Sequence, residues 1–419
     1  MSTTQATRLL LALAIIIVAA RLLGALARRL DQPPVIGEVL AGIALGPTLL
    51  HGAVSEAVFP TDIRPFLAAL ANLGIALFMF IVGLELDHAL VRGRGRLAGS
   101  VSVSSIVLPF GLAALLSLYL IRDHPSRDPL SFALFMGAAM SVTAFPVLAR
   151  ILTDRNMSHT LVGQVALTCA AVDDVLAWSM LAMVVAVAGA AADQARLLLV
   201  LPYLAVMFLL VRPLLSRVAT AQRRAGRLTS GTLAVVLAGA LLSAAATEAV
   251  GLHFIFGAFL FGVVMPREGG AALRAELLER VGQVSSVLLL PVFFIVAGLR
   301  VDLSAVGPTG LGELALILLV AIGGKFVGAY LAARANGLPA RESGALATLM
   351  NTRGLTELVI LNIGLQLTLL DTRLYSLMVV MAVLTTAMAG PLLRVLYPPV
   401  RYAPAAPVPT NLPPIATSR

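Results

Sequence analysis

The amino-acid sequence predicts an all-α polytopic membrane protein, and three observations carry that prediction. First, the chain is 59% hydrophobic and only 12% charged, with a mean hydropathy of +0.97, against about 25% charged residues in a soluble domain. A surface that apolar has no stable arrangement in water, so lipid must be its solvent. Second, the sequence divides into thirteen apolar runs, most of them near the roughly 17–25 residues that cross a bilayer as a helix. Third, the arginines gather on alternate connections between those runs.

The runs lie near 8–28, 34–50, 65–86, 97–121, 130–152, 160–190, 196–217, 230–250, 252–266, 282–299, 311–335, 341–370 and 374–397. The first is expected as a retained span, since Met1 to Arg8 has no charged region followed by a cleavage site. The ninth is short and closely joined to the eighth. If the N-terminus is outside, the cytoplasmic connections hold Arg28 and Arg29, then Arg92, Arg94 and Arg96, then Arg150 and Arg155. They continue with Arg212, Arg217, Arg223, Arg224 and Arg227, then Arg267, Arg274 and Arg280, then Arg334 and Arg341. The other side receives scattered cases such as Arg64, Arg122, Arg127, Arg196, Arg300 and Arg373. This is the positive-inside pattern, and an odd number of spans returns the C-terminus to the cytoplasm. The net charge of +9 therefore belongs to loops beside a membrane. With 5% aromatic residues and no basic stretch carrying stacking side chains, nucleic acid is not an expected partner. The single cysteine, Cys169, excludes an internal disulfide and reads as a small core residue.

Two apolar runs are interrupted. The fifth contains Ser141-Val142-Thr143-Ala144-Phe145-Pro146, and the twelfth contains Asn351-Thr352-Arg353-Gly354. They are seven spans apart, so each falls in the fifth helix of its half if spans one to six and eight to thirteen are repeats. An odd offset makes the repeats inverted. Interrupted helices in corresponding positions point to a secondary-transporter site near the midplane.

A charge at a helix centre costs about 2.5–3.5 kcal/mol on insertion scales. The candidates here are Asp173, Asp174, Lys325, Arg353 and Glu357. Asp173 and Asp174 stand mid-way along the sixth run, flanked by Val165 to Val172 and Val175 to Val187. Two adjacent carboxylates cannot both be ionised cheaply in low dielectric, so the pair can exchange a proton for a metal cation. Lys325 is the chain's only lysine and lies within Ile322-Gly323-Gly324-Lys325-Phe326-Val327-Gly328. It is too deep to snorkel easily, and Asp173 or Asp174 is the obvious partner. Arg353 and Glu357, four apart, read as an ion pair that tolerates burial, with direct ion handling as the alternative. Thr143, at the first break, is a candidate ligand, although a threonine in a membrane helix often bonds its own backbone. Ser141 is a weaker one. Glu38 reads as structural, and His253 and the other histidines, near loops, receive no role. No P-loop, zinc spacing or Gly-x-Ser-x-Gly motif occurs, so neither cofactor nor enzymatic activity is expected.

Taken together, Pro34-Val35-Ile36-Gly37-Glu38-Val39-Leu40-Ala41-Gly42, Gly83-Leu84-Glu85-Leu86-Asp87, Thr143 to Leu152, Asp173-Asp174 and Asn351 to Val359 make the chain resemble a Kef-type monovalent cation:proton antiporter of the second cation–proton antiporter family. The resemblance covers residues 8–397. It implies the sodium/proton antiporter fold, with two inverted six-helix repeats and two crossing discontinuous helices. It implies a homodimer that exchanges Na+ or K+ for protons by an elevator-like movement in a bacterial inner membrane. Residues 1–121 would supply scaffold spans one to three and the first core span. Residues 130–190 would be core, 196–217 a linker helix, 230–300 scaffold, 311–397 core and 398–419 a short disordered tail. By resemblance Asp174 is the main cation and proton site and Asp173 pairs with Lys325 in the proton-loaded state. Two carboxylates with a lysine resemble the electrogenic members. The cytosolic nucleotide-binding domain of the gated potassium-efflux members is not expected here.

Three alternatives stand beside this reading. An intramembrane aspartyl protease needs its two carboxylates on facing helices, whereas neighbours on one helix point about 100° apart. A channel-like potassium efflux system would carry large single-channel currents. An organic-anion symporter would line its sodium sites with neutral polar groups.

Overall fold

The computed structural model describes residues 2–48, 52–85, 95–126, 128–158, 160–189, 199–226, 228–250, 252–266, 270–304 and 306–397. Among them every regular element is a helix. In chain order these are α1 Thr3–Arg29, α2 Pro34–Leu45, α3 Ala53–Val58, α4 Arg64–Glu85, α5 Gly95–Leu120, α6 Pro129–Ser141, α7 Phe145–Asp154 and α8 Leu161–Gly189. There follow α9 (residues 200–225, with one wider-wound turn at Met207–Val211), α10 Ser230–Val250, α11 Phe254–Val264, α12 Ala271–Leu299, α13 Pro308–Ala335, α14 Ala340–Met350, α15 Leu355–Gln366 and α16 Thr372–Leu396. Leu86 and Asp87 of the second quoted motif, Arg92, Arg94, Arg127, Arg196, Arg227, Arg267 and the tail lie outside the described residues.

Ten helices among the described residues are long and apolar enough to cross a membrane, counting α6 and α7 as one. This is fewer than the thirteen runs of the sequence. The run at 34–50 yields only the 12-residue α2, because Gly46 and Pro47 stop it. At about 1.5 Å per residue it reaches roughly 18 Å, short of a 30 Å hydrocarbon core. The ninth run is the 11-residue α11. The twelfth is split into α14 and α15. The tenth, expected from 282, begins at Ala271, since Leu273 to Gln283 is a good helix former too polar to register as a span. The seventh outlasts its apolar run, reaching Ala225 before Gly226 ends it in the left-handed conformation, φ 69°.

The helices pack in two groups. In one, α2 lies on α1 and α12, and α11 lies on α4 and α10. In the other, α13 lies along α5, and α6, α8, α14 and α16 close around them. The α2–α16 contact joins the groups. Close approach within the first group depends on glycine. A Cβ on Gly298 of α12 would sit 2.7 Å from the Cα of Gly42 and from the carbonyl of Val39 on α2. Small residues let backbones meet in this way where lipid supplies no hydrophobic drive between helices.

The second group is organised by its two interruptions. The α6–α7 break at Val142 to Ala144 and the α14–α15 break at Asn351 to Gly354 lie against each other, and Ala144 N–H donates to the Thr352 carbonyl at 3.1 Å. A side chain on Gly354 would run into Val147, so the crossing needs glycine there. Pro146 sits in the first turn of α7, where its missing N–H costs nothing. Each break leaves a carbonyl end and an N–H end without helical partners. Arg353, wholly buried, serves the carbonyl end of α6, donating to Ala139 O at 3.1 Å and Met140 O at 2.6 Å. It also pairs with Glu357 at 3.0 Å, and Thr386 of α16 accepts from its N–H at 2.9 Å and donates to its carbonyl at 2.7 Å.

This gives a stability prediction. Arg353→Met strands a buried Glu357 and uncaps α6, at a cost of about 3–5 kcal/mol, so the melting temperature in detergent falls well below wild type. Arg353→Met with Glu357→Met removes the stranded charge and melts above the single variant. A double variant that melts lower than Arg353→Met would show that the pair is not what holds the crossing.

Candidate functional site

The α8 helix carries Asp173 and Asp174 past the crossing, and their separation around the helix gives them different surroundings. Asp173 is fully buried. Its Oδ1 accepts from the Ser102 hydroxyl of α5 at 2.5 Å. Its Oδ2 has the Thr143 hydroxyl at 2.7 Å and the Lys325 ammonium of α13 at 3.4 Å. Lys325 also donates to the Thr143 oxygen, and that hydroxyl lies 2.9 Å from Met350 O, the last residue of α14. With one proton, Thr143 serves Asp173 or Met350 at a given moment. It thus links the lysine, the carboxylate and the free carbonyl end of a half-helix, and does not spend its hydroxyl on its own helix.

Asp174, 3% exposed, faces the other way. Its hydrogen-bond partners are the backbone N–H of Phe145, the first residue of α7, and the hydroxyl of Thr356, in the first turn of α15. Both half-helices therefore turn their positive ends toward one carboxylate, the arrangement that stabilises an anion or a charge-bearing ligand. Its Oδ1 is buried and has no hydrogen-bond partner. Asp173 is thus satisfied on both oxygens, and Asp174 keeps one oxygen unengaged.

The remaining expected site residues fall around this centre. The Ser141 hydroxyl bonds Ala138 O of its own helix at 3.0 Å and is not brought to either carboxylate. Asn351 closes α14 with its Oδ1 buried and unpartnered. The Thr352 hydroxyl bonds Leu349 O at 2.8 Å while its carbonyl joins the two breaks. Arg353 and Glu357 form the ion pair described above. Cys169 is buried, its thiol 3.4 Å from Ala98 O. Ser102 and Thr356 are the participants that sequence reading did not pick out. Neither stands at an anomaly in the hydropathy, and serine or threonine in an apolar helix is ordinary. Among the described residues no cluster of histidine, cysteine or carboxylate side chains is built to hold a resident metal. The site can instead hold a transient cation or proton, for which one unengaged carboxylate oxygen beside a satisfied one is suited.

The chain is similar over nearly its whole length to known cation/proton antiporters. Na(+)/H(+) antiporter NhaS4 of Synechocystis sp. is 40% identical over 408 residues, covering 95% of this chain and 99% of its own length. Cation/H(+) antiporter 20 of Arabidopsis thaliana is 37% identical over 93% of this chain, and K(+)/H(+) antiporter 1 of Saccharomyces cerevisiae is 32% identical over 88%. The chain spans about half the length of those plant and yeast relatives, 48% and 45%. Among solved structures the sodium proton antiporter MjNhaP1 from Methanocaldococcus jannaschii superimposes with a TM-score of 0.65, covering 94% of this chain and 98% of the other at 16% identity. That likeness shows a shared fold. The sequence pattern described as the transmembrane sodium/hydrogen exchanger matches residues 14–397, and the chain belongs to that family.

Proposed function

We propose that this membrane transporter, a cation/proton antiporter by its family, exchanges Na+ or K+ for protons at Asp174 by alternating access. The observation that carries the reading is the pairing of unlike carboxylates. Asp173 is fully engaged by Ser102, Thr143 and Lys325, while Asp174 has an unpartnered oxygen where two half-helices begin. A cation arriving at Asp174 meets a carboxylate already held in place. A bare double anion is costly to carry through a low-dielectric interior, and the same pair loaded with a cation or with protons is much less so. Movement is then favourable only for a loaded site, which couples the two fluxes.

The movement proposed is that of the α5–α8 and α13–α16 group against the group of α1, α2, α4 and α10–α12. Support comes from the packing, dense within each group and joined chiefly through α2 and α16. The second group would carry the site and the first would be the scaffold of a homodimer. Apolar residues exposed on α1 and α10, such as Leu10, Leu22 and Leu242, suit either lipid or a second copy. The connections bearing Arg28, Arg96, Arg150, Arg155 and Arg217 would face the cytoplasm of a bacterial inner membrane, which places the N-terminus outside. Relatives named for sodium, for potassium and for cations generally all match this chain, so the substrate class is stated as a monovalent cation. Exchange is proposed to be electrogenic: if Lys325 gives up its proton when a cation arrives at the pair and regains it on the return, two protons, one from Lys325 and one from Asp174, move against each monovalent cation.

Two measurements test the reading. In proteoliposomes with a pH-sensitive dye, titrated with Na+, K+ and Li+ between roughly pH 6.5 and 9, Asp174→Asn reduces cation-driven proton movement to the protein-free level. Wild-type exchange by that variant would sink the assignment. Lys325→Ala keeps exchange but alters its pH profile and removes its response to an imposed membrane potential. An unchanged profile and potential response would mean that Lys325 only fills space beside Asp173.

A further inference from the structure

A second charged cluster lies away from the Asp pair, where the chain leaves α5, enters α13 and enters α16. His124, in the connection after α5, is 3% exposed although it belongs to no helix. Its Nδ1 is 2.7 Å from Asp371 Oδ2 and its Nε2 is 3.3 Å from Glu313 Oε2. Asp371 is the N-cap of α16, its other oxygen accepting from Leu374 N–H at 2.7 Å. Glu313, wholly buried on α13, takes a second cation on the same oxygen, Arg373 at 2.9 Å, and its Oε1 has no partner. The other charged groups nearby in the chain are Arg122 and Asp123, both exposed, and Asp128, which is occupied in capping α6.

Asp371 stands at a helix N-terminus and Glu313 faces an arginine, settings that favour a carboxylate anion, and an ionised carboxylate only accepts. A histidine with a carboxylate oxygen at each nitrogen must therefore donate from both, as the imidazolium. Two cations, His124 and Arg373, then balance two anions around the buried Glu313. A neutral ring would set a lone pair against one carboxylate and leave Glu313 with Arg373 alone.

We propose that His124 is a proton-binding latch at this end of the bundle, whose imidazolium ties the α5 exit, α13 and the start of α16 together and whose deprotonation releases them. Burial pulls the imidazole down, but the hydrogen bonds and charges of Asp371 and Glu313 outweigh it, so its pKa stands above the ordinary 6.5. Burial likewise pushes Asp371 up, and its bonds to His124 and Leu374 N–H and the nearby charges outweigh that, holding it below 3.8. The histidine contribution is thus complete below pH 6.5 and is lost as pH rises through its elevated value, while the Asp371 contribution is lost only as pH falls below its ordinary range. The latch is closed in between and opens on the alkaline side. Lys325 lies on the same α13 helix, twelve residues and about 18 Å from Glu313, so the latch fixes the far end of the helix that bears it. In the topology proposed above this end faces outward, and the proton sensed is external; that consequence rests on the antiport reading, whereas the latch does not.

The test is hydrogen exchange of the full chain in nanodiscs between roughly pH 6 and 9, corrected for intrinsic rates, read on segments 121–126 and 367–376. Wild type loses protection in one step as pH rises, by up to roughly tenfold for each unit by which the cluster raises the histidine. His124→Gln stands at the released level throughout and shows no step. If that variant does not fold, Asp371→Asn, at a half-exposed position, moves the step to lower pH. A flat wild-type profile, a step that survives His124→Gln, or an unmoved step in Asp371→Asn overturns the latch. The same step is expected in Asp174→Asn, so failure of the latch and failure of the antiport reading are seen separately.

Discussion

Helix interruptions inside a membrane create a problem that the protein itself must solve, because no water is at hand to satisfy the freed backbone groups. Two such interruptions meet here, which gives two carbonyl ends and two N–H ends at one place. The surrounding side chains divide by sign. Arg353 holds the carbonyl end of α6, and Thr143, backed by Lys325, lies at the carbonyl end of α14. Asp174 takes the N–H ends of α7 and α15 through Phe145 and Thr356. The buried charges and the broken helices are therefore mutually dependent. Neither would be tolerable alone, since an unpaired charge and an uncapped half-helix each cost several kcal/mol at this depth.

The same division explains why adjacent carboxylates need not share a role. Consecutive residues on a helix point about 100° apart, so Asp173 meets α5 and α13 while Asp174 meets the two helix starts. Asp173 is held by a hydroxyl on each oxygen and by an ammonium. Asp174 is held on one side only. The asymmetry of their surroundings is in this way a consequence of helix geometry and of which helices flank α8. It also accounts for a lysine at 325 in a chain whose other basic residues are arginines. A guanidinium keeps its charge in all circumstances and suits Arg353, whose task of capping carbonyls never changes. An ammonium on a flexible stem can move away from its carboxylate or give up its proton.

The parts that were legible in the sequence were those that violate the apolar pattern. Asp173, Asp174, Lys325 and the breaks at Thr143 and Asn351 all stand out in runs of valine, leucine and alanine. Ser102 and Thr356 do not, because many hydroxyls in these helices, such as Thr348 on Gly344 O and Thr385 on Met381 O, merely bond their own turn. Ser141 shows the opposite difficulty, standing beside the break and bonding its own helix. Which hydroxyl serves the site depends on rotation about the helix axis, and that is set by packing. His124 was hidden for a related reason. Its position after an apolar run reads as a loop, and its burial arises from partners 189 and 247 residues away along the chain. Helix limits differed where polar but helix-favouring sequence prolongs a span, as at the start of α12.

The alternating movement proposed above places its own demand on the interface between the two helix groups, which would have to be stable in more than one position. Much of that interface is aliphatic. Val35, Ile36 and Val39 of α2 face Leu358 of α15 and Ala382 and Val383 of α16 around a small recess whose wall also includes Arg353 and Thr386. Aliphatic contacts of this kind change little in energy when shifted by a turn, because they are not directional. The directional contacts between the groups, among them Arg394 with Asp31, Arg300 with Asn362 and Tyr375 with the Ala297 carbonyl, sit toward the ends. Gln32 donates to Ala387 O at 3.1 Å near one end, and Asp302 N–H bonds Ser376 at 3.0 Å near the other. Net, each such bond contributes only about 0.5–1.5 kcal/mol, an amount that differential binding of a cation or proton at Asp174 can exceed. In that movement the rigid part would be the crossing, where Arg353 pairs with Glu357 and Asp173 with Lys325, and the yielding part the largely aliphatic seam beside it. A substitution that put a buried polar pair into the seam would stabilise one position at the expense of the other and so slow exchange without touching the site.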